Sequence, residues 1–169
     1  MPDSTLDSLL NHPGGAPAIV TPSETISFAE LSGRVEASAA MLAKDHVRAG
    51  QPIGLAFADP IGHLVVSLAL LKLGAQQLAL SVSDPAGVLD SAAARAGVTL
   101  IVTDQATLPA KAPRLTVNWR RLPPVKPAPG QIRHEASFLL LGSGTTGRPK
   151  LISLTAEQFE LQIDRELDA

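Results

Sequence analysis

The sequence predicts an α/β fold: alternating strands and helices that form a mostly parallel sheet with helices on both faces. Three observations carry this. Apolar runs of strand length recur at residues 53–57, 77–82, 98–102 and 136–141. Helix-start signals or helical periodicity fill the intervals between the first three runs. No fixed-period repeat points instead to a solenoid or propeller.

Each element has its own local cause. Ser27-Phe28-Ala29-Glu30 has the form of a capping box, in which Ser takes an orphan N–H and Glu reaches back. Phe28, Leu31, Val35, Ala39 and Leu42 then share one face, so a helix is expected from Phe28 to His46. Arg48-Ala49-Gly50-Gln51-Pro52 breaks it. Ile53 to Phe57 is a strand. Asp59-Pro60 supplies an N-cap with proline at the first helical position. The helix that follows, Pro60 to Leu73, is apolar on most sides and so is expected to be buried, with Gly74 ending it. Gln77 to Val82 is the next strand. Asp84-Pro85 repeats the helix-start signal, Gly97 closes that helix, and Val98 to Val102 is again a strand.

The order changes after Trp119, a residue expected to pack. Pro123, Pro124, Pro127 and Pro129 make a stiff connector. Ala136 to Leu141 is a buried-type strand, Gly142 to Lys150 a loop, and Leu151 to Leu154 another strand. Thr155 is placed to cap a last helix with Phe159 and Ile163 on one side. Three pieces result: an α/β subdomain at 1–121, a Pro-rich connector at 122–135, and at 136–169 a strand, a candidate phosphate-binding loop and the start of a next subdomain.

Composition limits the function. The 169 residues fit one ordinary domain, and 45% hydrophobic with 18% charged residues is a globular balance. Aromatic residues make up only 3%, so aliphatic side chains must fill the core. A net charge of −2 without a basic block argues against nucleic acid as a partner. The absence of cysteine excludes disulfides and thiolate chemistry. Met1 to Leu10 carries Asp3 and Asp7 and no positive side chain, unlike a secretory signal. The run Leu64 to Leu71 is far shorter than the roughly 20 residues that span a bilayer. The expectation is a cytoplasmic protein with no membrane span. His12, His46, His63 and His134 show no metal-ligand spacing and are expected to be solvated or to cap. Asp164, Arg165, Glu166 and Asp168 fit a solvated helix end. Neither a metal site nor a catalytic residue is expected within this chain.

The stretch Gly142-Ser143-Gly144-Thr145-Thr146-Gly147-Arg148-Pro149-Lys150 carries the chemistry. Its glycines admit backbone conformations closed to other residues and let a ligand approach the main chain. Successive N–H groups there can form an anion-binding nest. Ser143, Thr145 and Thr146 add hydroxyl donors, and Lys150 adds a point charge. Together these make a phosphate cradle. It is not a P-loop, although Gly142 and Gly147 have the four-residue gap, because Arg148-Pro149 replaces the Lys-Ser/Thr pair and a strand follows.

Ser143 to Lys150 closely resembles the phosphate-binding signature of the adenylate-forming (AMP-binding) superfamily, which includes acyl-CoA synthetases, luciferases and nonribosomal peptide synthetase adenylation domains. Further blocks in matching order support the resemblance: Thr25 to Leu31, Gly50 to Leu55, Leu68 to Ala75 and Ser83 to Pro85. It covers nearly the whole chain from Ala18 onward. The chain departs from the family at Gly142, where Ser or Thr is usual, at Leu151, where Gly is common, and at Ala156, where many members have His.

The resemblance implies the N-terminal portion of an ATP-dependent, AMP-forming ligase. Such an enzyme activates a carboxylic acid as an acyl-adenylate and passes it to a thiol, on coenzyme A or on the phosphopantetheine of a carrier protein. Ser143, Gly144, Thr145, Thr146, Gly147 and Lys150 would hold the ATP phosphates. The ribose contacts, the acidic residue for Mg2+ and the C-terminal lysine come later in the family, so this portion by itself is expected to be inactive. The alternative is a truncated, catalytically inactive paralogue acting as a binding or scaffold module.

Overall fold

A computed structural model describes residues 12, 14–123, 125–126, 132–133, 135–142 and 150–167, with the side chains of 164, 166 and 167 excepted. The chain opens with an antiparallel pair, β1 (Pro17–Val20) and β2 (Thr25–Ser27). Helix α1 (Phe28–Lys44) follows directly. Ser27 caps it, its hydroxyl accepting the Glu30 N–H at 3.2 Å. Only half of the expected capping box forms. The Glu30 carboxylate reaches forward and accepts from the Arg34 guanidinium at 2.7 Å, because a charged partner one turn on outcompetes a neutral N–H. The helix stops at Lys44, and His46 takes a left-handed φ of 64°.

β3 (Pro52–Ala56) leads through the Asp59 cap into α2 (Pro60–Leu73). Asp59 accepts the Ile61 N–H at 3.0 Å, and Gly74 ends the helix at φ 74°. β4 (Gln76–Ala79) follows, shorter than its apolar run. Helix α3 (Ala86–Ala96) departs from expectation: Pro85, not Asp84, is its N-cap, and no side chain satisfies its first N–H groups. The Asp-Pro pair is shifted by one position relative to the helix start, so the carboxylate falls outside the cap. β5 (Leu100–Thr103) comes next. β6 (Arg114–Thr116) was not foreseen, since three residues are too few to show periodicity. β7 (Ser137–Gly142), β8 (Lys150–Thr155) and α4 (Ala156–Leu167) complete the order. The α4 cap is reciprocal: Gln158 N–H donates to Thr155 Oγ1, and Thr155 N–H donates to Gln158 Oε1.

Six strands form one sheet in the order β6-β5-β3-β4-β7-β8. All pairings are parallel except β7 with β8. β4 lies on one side of β3 and β5 on the other, so right-handed crossovers must put α2 and α3 on opposite faces. The core divides accordingly. One cluster joins α1, α2 and α4 through Val35, Leu42, Val66, Leu70 and Ala156. The other packs Leu89 and Ala96 of α3 on Leu78, Ile101 and Leu139. Fully burying one such Leu or Val side chain contributes about 1.5–3 kcal/mol. The α2 helix is tied to the sheet by a buried polar pair, Ser67 donating to Gln77 Oε1 at 2.7 Å. Among the described residues no helix is long and apolar enough to cross a membrane.

Candidate functional site

Parallel strands put their carboxyl ends on one edge, so β3, β4, β5 and β7 all open onto the same side of the sheet. After β3 the chain turns to one face and after β4 to the other. The crevice between those two exits is a topological switch point, where ligands of α/β sheets gather. Next to β4, β7 runs out to Gly142 and β8 returns from Lys150, the two residues paired in register. The glycine-rich segment therefore joins the two strands at the carboxyl edge.

Of the six candidate binding residues, Lys150 is described: it is exposed at the first position of β8 and has no ion-pair partner among the described residues. Ser143, Gly144, Thr145, Thr146 and Gly147 lie outside the described residues. An open groove of about 550 Å³ adjoins Gly142. Its other walls include Leu141 of β7 and Gly87, Val88, Ser91 and Arg95 of α3. Sequence reasoning did not single out this groove. Its signal was the small residues Gly87 and Ser91 one helical turn apart, which leave space beside the helix.

Two carboxylates at this edge, Asp59 after β3 and Asp104 after β5, are committed to the protein itself. Asp104, just past β5, accepts N–H groups from Ala58 and Asp59 at 3.0 and 2.9 Å. Burial alone would raise its pKa, but hydrogen bonds from Gln105, Asp59 and Ala58 outweigh that and hold it below the usual carboxylate value. Asp59 accepts from Trp119 Nε1 at 3.0 Å and from Arg120 at 3.2 Å. Arg120 forms a fork on Glu24 at 2.8 and 2.7 Å. That hydrogen bond holds Glu24 below its ordinary pKa and pushes Arg120 up. Arg34 and Arg120 also lie over the Trp119 ring, 5.0 and 4.4 Å from its centroid. Trp119 thus packs as expected and in addition anchors an ionic network that the sequence did not reveal.

His63 corrects an expectation. It is half-buried and stands edge-on to Phe57, and burial lowers its pKa. His46 Nδ1 accepts from the Arg48 guanidinium at 3.1 Å, and His12 stacks on Phe28. His134 and Asp168 lie outside the described residues. No group of three or more potential metal ligands occurs among the described residues.

The sequence profile of the family described as "AMP-binding enzyme" matches residues 7–163. Novobiocin biosynthesis protein H of Streptomyces niveus is 31% identical over 158 residues, covering 83% of this chain and 26% of that protein. Enterobactin synthase component F of Escherichia coli O157:H7 is 28% identical over 160 residues, covering 89% of this chain and 12% of that protein. Among solved structures, the Klebsiella oxytoca NpsA N-terminal subdomain in complex with 3-hydroxyanthranilyl-AMSN superposes with a TM-score of 0.76 at 18% identity, over 90% of this chain and 40% of that one. The O-succinylbenzoate coenzyme A synthetase MenE of Bacillus subtilis, in complex with AMP, gives 0.74 at 19% identity, over 91% and 42%. The chain thus spans between 3% and 26% of the curated relatives it matches.

Proposed function

Since the chain belongs to the AMP-binding enzyme family, we propose that it supplies the phosphate-handling N-terminal part of an ATP-dependent, AMP-forming ligase that joins a carboxylic acid to a thiol. The observation that carries this is the β7–β8 return, which sets Gly142 and Lys150 side by side at the carboxyl edge of a parallel sheet. In the proposed reaction a carboxylate oxygen forms a bond to the α-phosphorus of ATP while the bond to the β-phosphate oxygen breaks, releasing pyrophosphate. A thiol of coenzyme A or of a carrier protein's phosphopantetheine then bonds through sulfur to the acyl carbon as the acyl–phosphate oxygen bond breaks, giving a thioester, AMP and a proton.

This chain's contribution is electrostatic. Negative charge grows on the departing pyrophosphate oxygens, and donors already aimed there lower the barrier without reorganising. Ser143, Thr145 and Thr146 hydroxyls and the N–H groups around Gly144 and Gly147 would be those donors. Lys150 would neutralise the leaving group, and its exposed position at the start of β8 fits that role. Magnesium is proposed to be held by groups beyond the described residues, which offer no cluster for it. The connector 122–135 is proposed as the joint between the 1–121 and 136–169 pieces.

Lys150→Ala is the test. Loss of a charge-assisted phosphate contact costs about 1.5–3 kcal/mol, a roughly ten- to hundredfold weaker handling of ATP or pyrophosphate. A solvated lysine at a strand start would change stability by less than about 0.5 kcal/mol and leave phosphate handling alone. Leu139→Ala is the control: it opens a cavity in the α3-side core and lowers stability by about 2–5 kcal/mol, with no effect on phosphate affinity of the folded fraction. Binding of inorganic pyrophosphate, followed by calorimetry alongside acid-dependent pyrophosphate release, separates the ligase from a binding module. An unchanged affinity in Lys150→Ala removes the proposed role.

A further inference from the structure

The chain must travel from β6 to β7, passing β5, β3 and β4 on the way. That crossing runs in the same direction as the one from β3 to β4, so the right-handed rule puts it on the α2 face. The contacts agree. At its start Trp119 is buried against Gly62 in the first turn of α2, with Nε1 donating to Asp59. The Arg120 carbonyl accepts from Arg34 of α1 at 3.4 Å, and Val125 N–H donates to the Gly33 carbonyl of α1 at 3.4 Å. At its end Ile132 is buried in the α1–α2 core, and Arg133 N–H donates to the Leu71 carbonyl in the last turn of α2 at 3.3 Å. The crossing is thus fastened at both ends of one helix.

The second fastening sits where two strands begin. Gly74 ends α2, and β4 starts soon after at Gln76. A Cβ on Gly74 would come within 3.0 Å of Arg133 Cδ and 3.2 Å of Arg133 Cβ, so the Arg133 stem lies across the α2–β4 turn. The Arg133 carbonyl accepts from Ala136 N–H at 2.9 Å, and Ser137 then opens β7 opposite Gln76. Three residue pairs join β4 to β7. The β7 sequence does little to fix their register. Leu139, Leu140 and Leu141 are consecutive, so a slip of two residues keeps every side chain on its face and trades Leu139 for Leu141 and Phe138 for Leu140.

We propose that Ile132 and Arg133 set the register of β7 on β4, and so act as positioning residues for the β7–β8 return and for Lys150 at its end. Ile132 anchors in the core, the Arg133 stem and N–H hold the α2–β4 turn, and the Ala136–Arg133 hydrogen bond carries that hold to the start of β7. Without it, a slip of two residues would carry Gly142 and Lys150 about 7 Å along the strand direction. β8 would move with β7, because six pairs join them. The joint at 122–135 is accordingly a fixed one. The consequence for phosphate handling rests on the role proposed for Lys150, whereas the register does not.

The chain has no cysteine, so introduced pairs report alone. Gln76→Cys with Ser137→Cys joins register partners, whose Cα atoms lie about 5 Å apart. Gln76→Cys with Leu139→Cys probes the slip, since those Cα atoms are about 8 Å apart in the native register, beyond disulfide reach. Under mild oxidation of the 169-residue chain the first pair should close and the second should not. Arg133→Gly removes the stem over Gly74 but leaves the core and the N–H donor. It should shift the ratio of the two cross-links toward the second by about tenfold, and Ile132→Ala should do the same. Arg133→Lys, which keeps a stem, should restore the parent ratio. Affinity for inorganic pyrophosphate should weaken in Arg133→Gly and recover in Arg133→Lys. Should Ile132→Ala fail to fold, Arg133→Gly decides. An unchanged ratio in Arg133→Gly, or a parent chain that closes both pairs equally, overturns the proposal. A shifted ratio with undiminished pyrophosphate affinity overturns the positioning of Lys150. A Lys150→Ala chain that binds pyrophosphate normally ends the phosphate role alone, because the cross-link ratios judge the register by themselves.

Discussion

Gly62 shows how a single residue can depend on distant chain. It lies in the first turn of α2, where alanine is the better helix former by about 1 kcal/mol. Yet a Cβ added there would stand 2.5 Å from Trp119 Nε1 and 2.6 Å from Trp119 Cδ1. The Trp cannot simply swing aside, because Asp59 holds its N–H and two guanidinium groups cover its ring. Gly62→Ala is therefore expected to destabilise by about 1–3 kcal/mol despite the gain in propensity, with Trp fluorescence reporting a moved ring. Denaturant unfolding would measure it, and a neutral or stabilising result would contradict the packing described. The same residue-level logic explains Asp104. A carboxylate that accepts two backbone N–H groups is spent on fixing the β3–α2 turn, and is not free for chemistry.

At the level of elements, two helices begin with side-chain caps of unequal weight. Ser27 caps α1 with one hydrogen bond, so Ser27→Ala should cost about 0.5–2 kcal/mol. Asp59 caps α2 and also receives Trp119 and Arg120, which in turn ties down Glu24 near the β1–β2 pair. Asp59→Ala loses a cap and strands a buried indole N–H, whose desolvation adds about 1–3 kcal/mol. Unfolding of the two variants side by side should show Asp59→Ala worse by that margin; equal losses would reduce Asp59 to a simple cap. The α4 helix, with its reciprocal Thr155–Gln158 cap, begins where β8 ends.

For the whole molecule, pH is the accessible lever. Burial lowers the pKa of His63 in the fold, so the unfolded chain binds a proton there more readily. Stability from this group is complete above about pH 6.5 and declines as pH falls below it, towards the depressed folded value. Glu24 and Asp104 have folded values below the ordinary carboxylate range. Their contribution is present above about pH 4 and disappears as pH falls through those lower values. Thermal melts across pH should therefore decline in two stages. His63→Gln should remove the upper stage and keep the lower. A melt temperature flat from pH 7 to pH 5 would show that His63 titrates equally in both states. Lys150→Ala is expected to keep both stages, since it leaves His63, Glu24 and Asp104 in place.

Much of this was legible in local sequence. Helix α2 and its Asp59 and Gly74 boundaries, the Ser27 cap, and the Gly97 stop depend on residues within a few positions of each other, and they stand where the sequence puts them. The resemblance of Ser143 to Lys150 to a phosphate-binding signature was also readable, since its residue types are contiguous and their order is specific. The alternation of strands and helices determined the fold class. What the sequence left open are relations between distant residues. Strand order, the three-residue β6, the Glu24–Arg120–Asp59–Trp119 network and the half-burial of His63 all join segments tens of residues apart. Glu30 shows the limit within a single turn: two partners lay within reach, and the charged Arg34 took it from the backbone N–H. The pairing of β7 with β4 was decided in the same way, because only the tertiary arrangement determines which strands lie side by side.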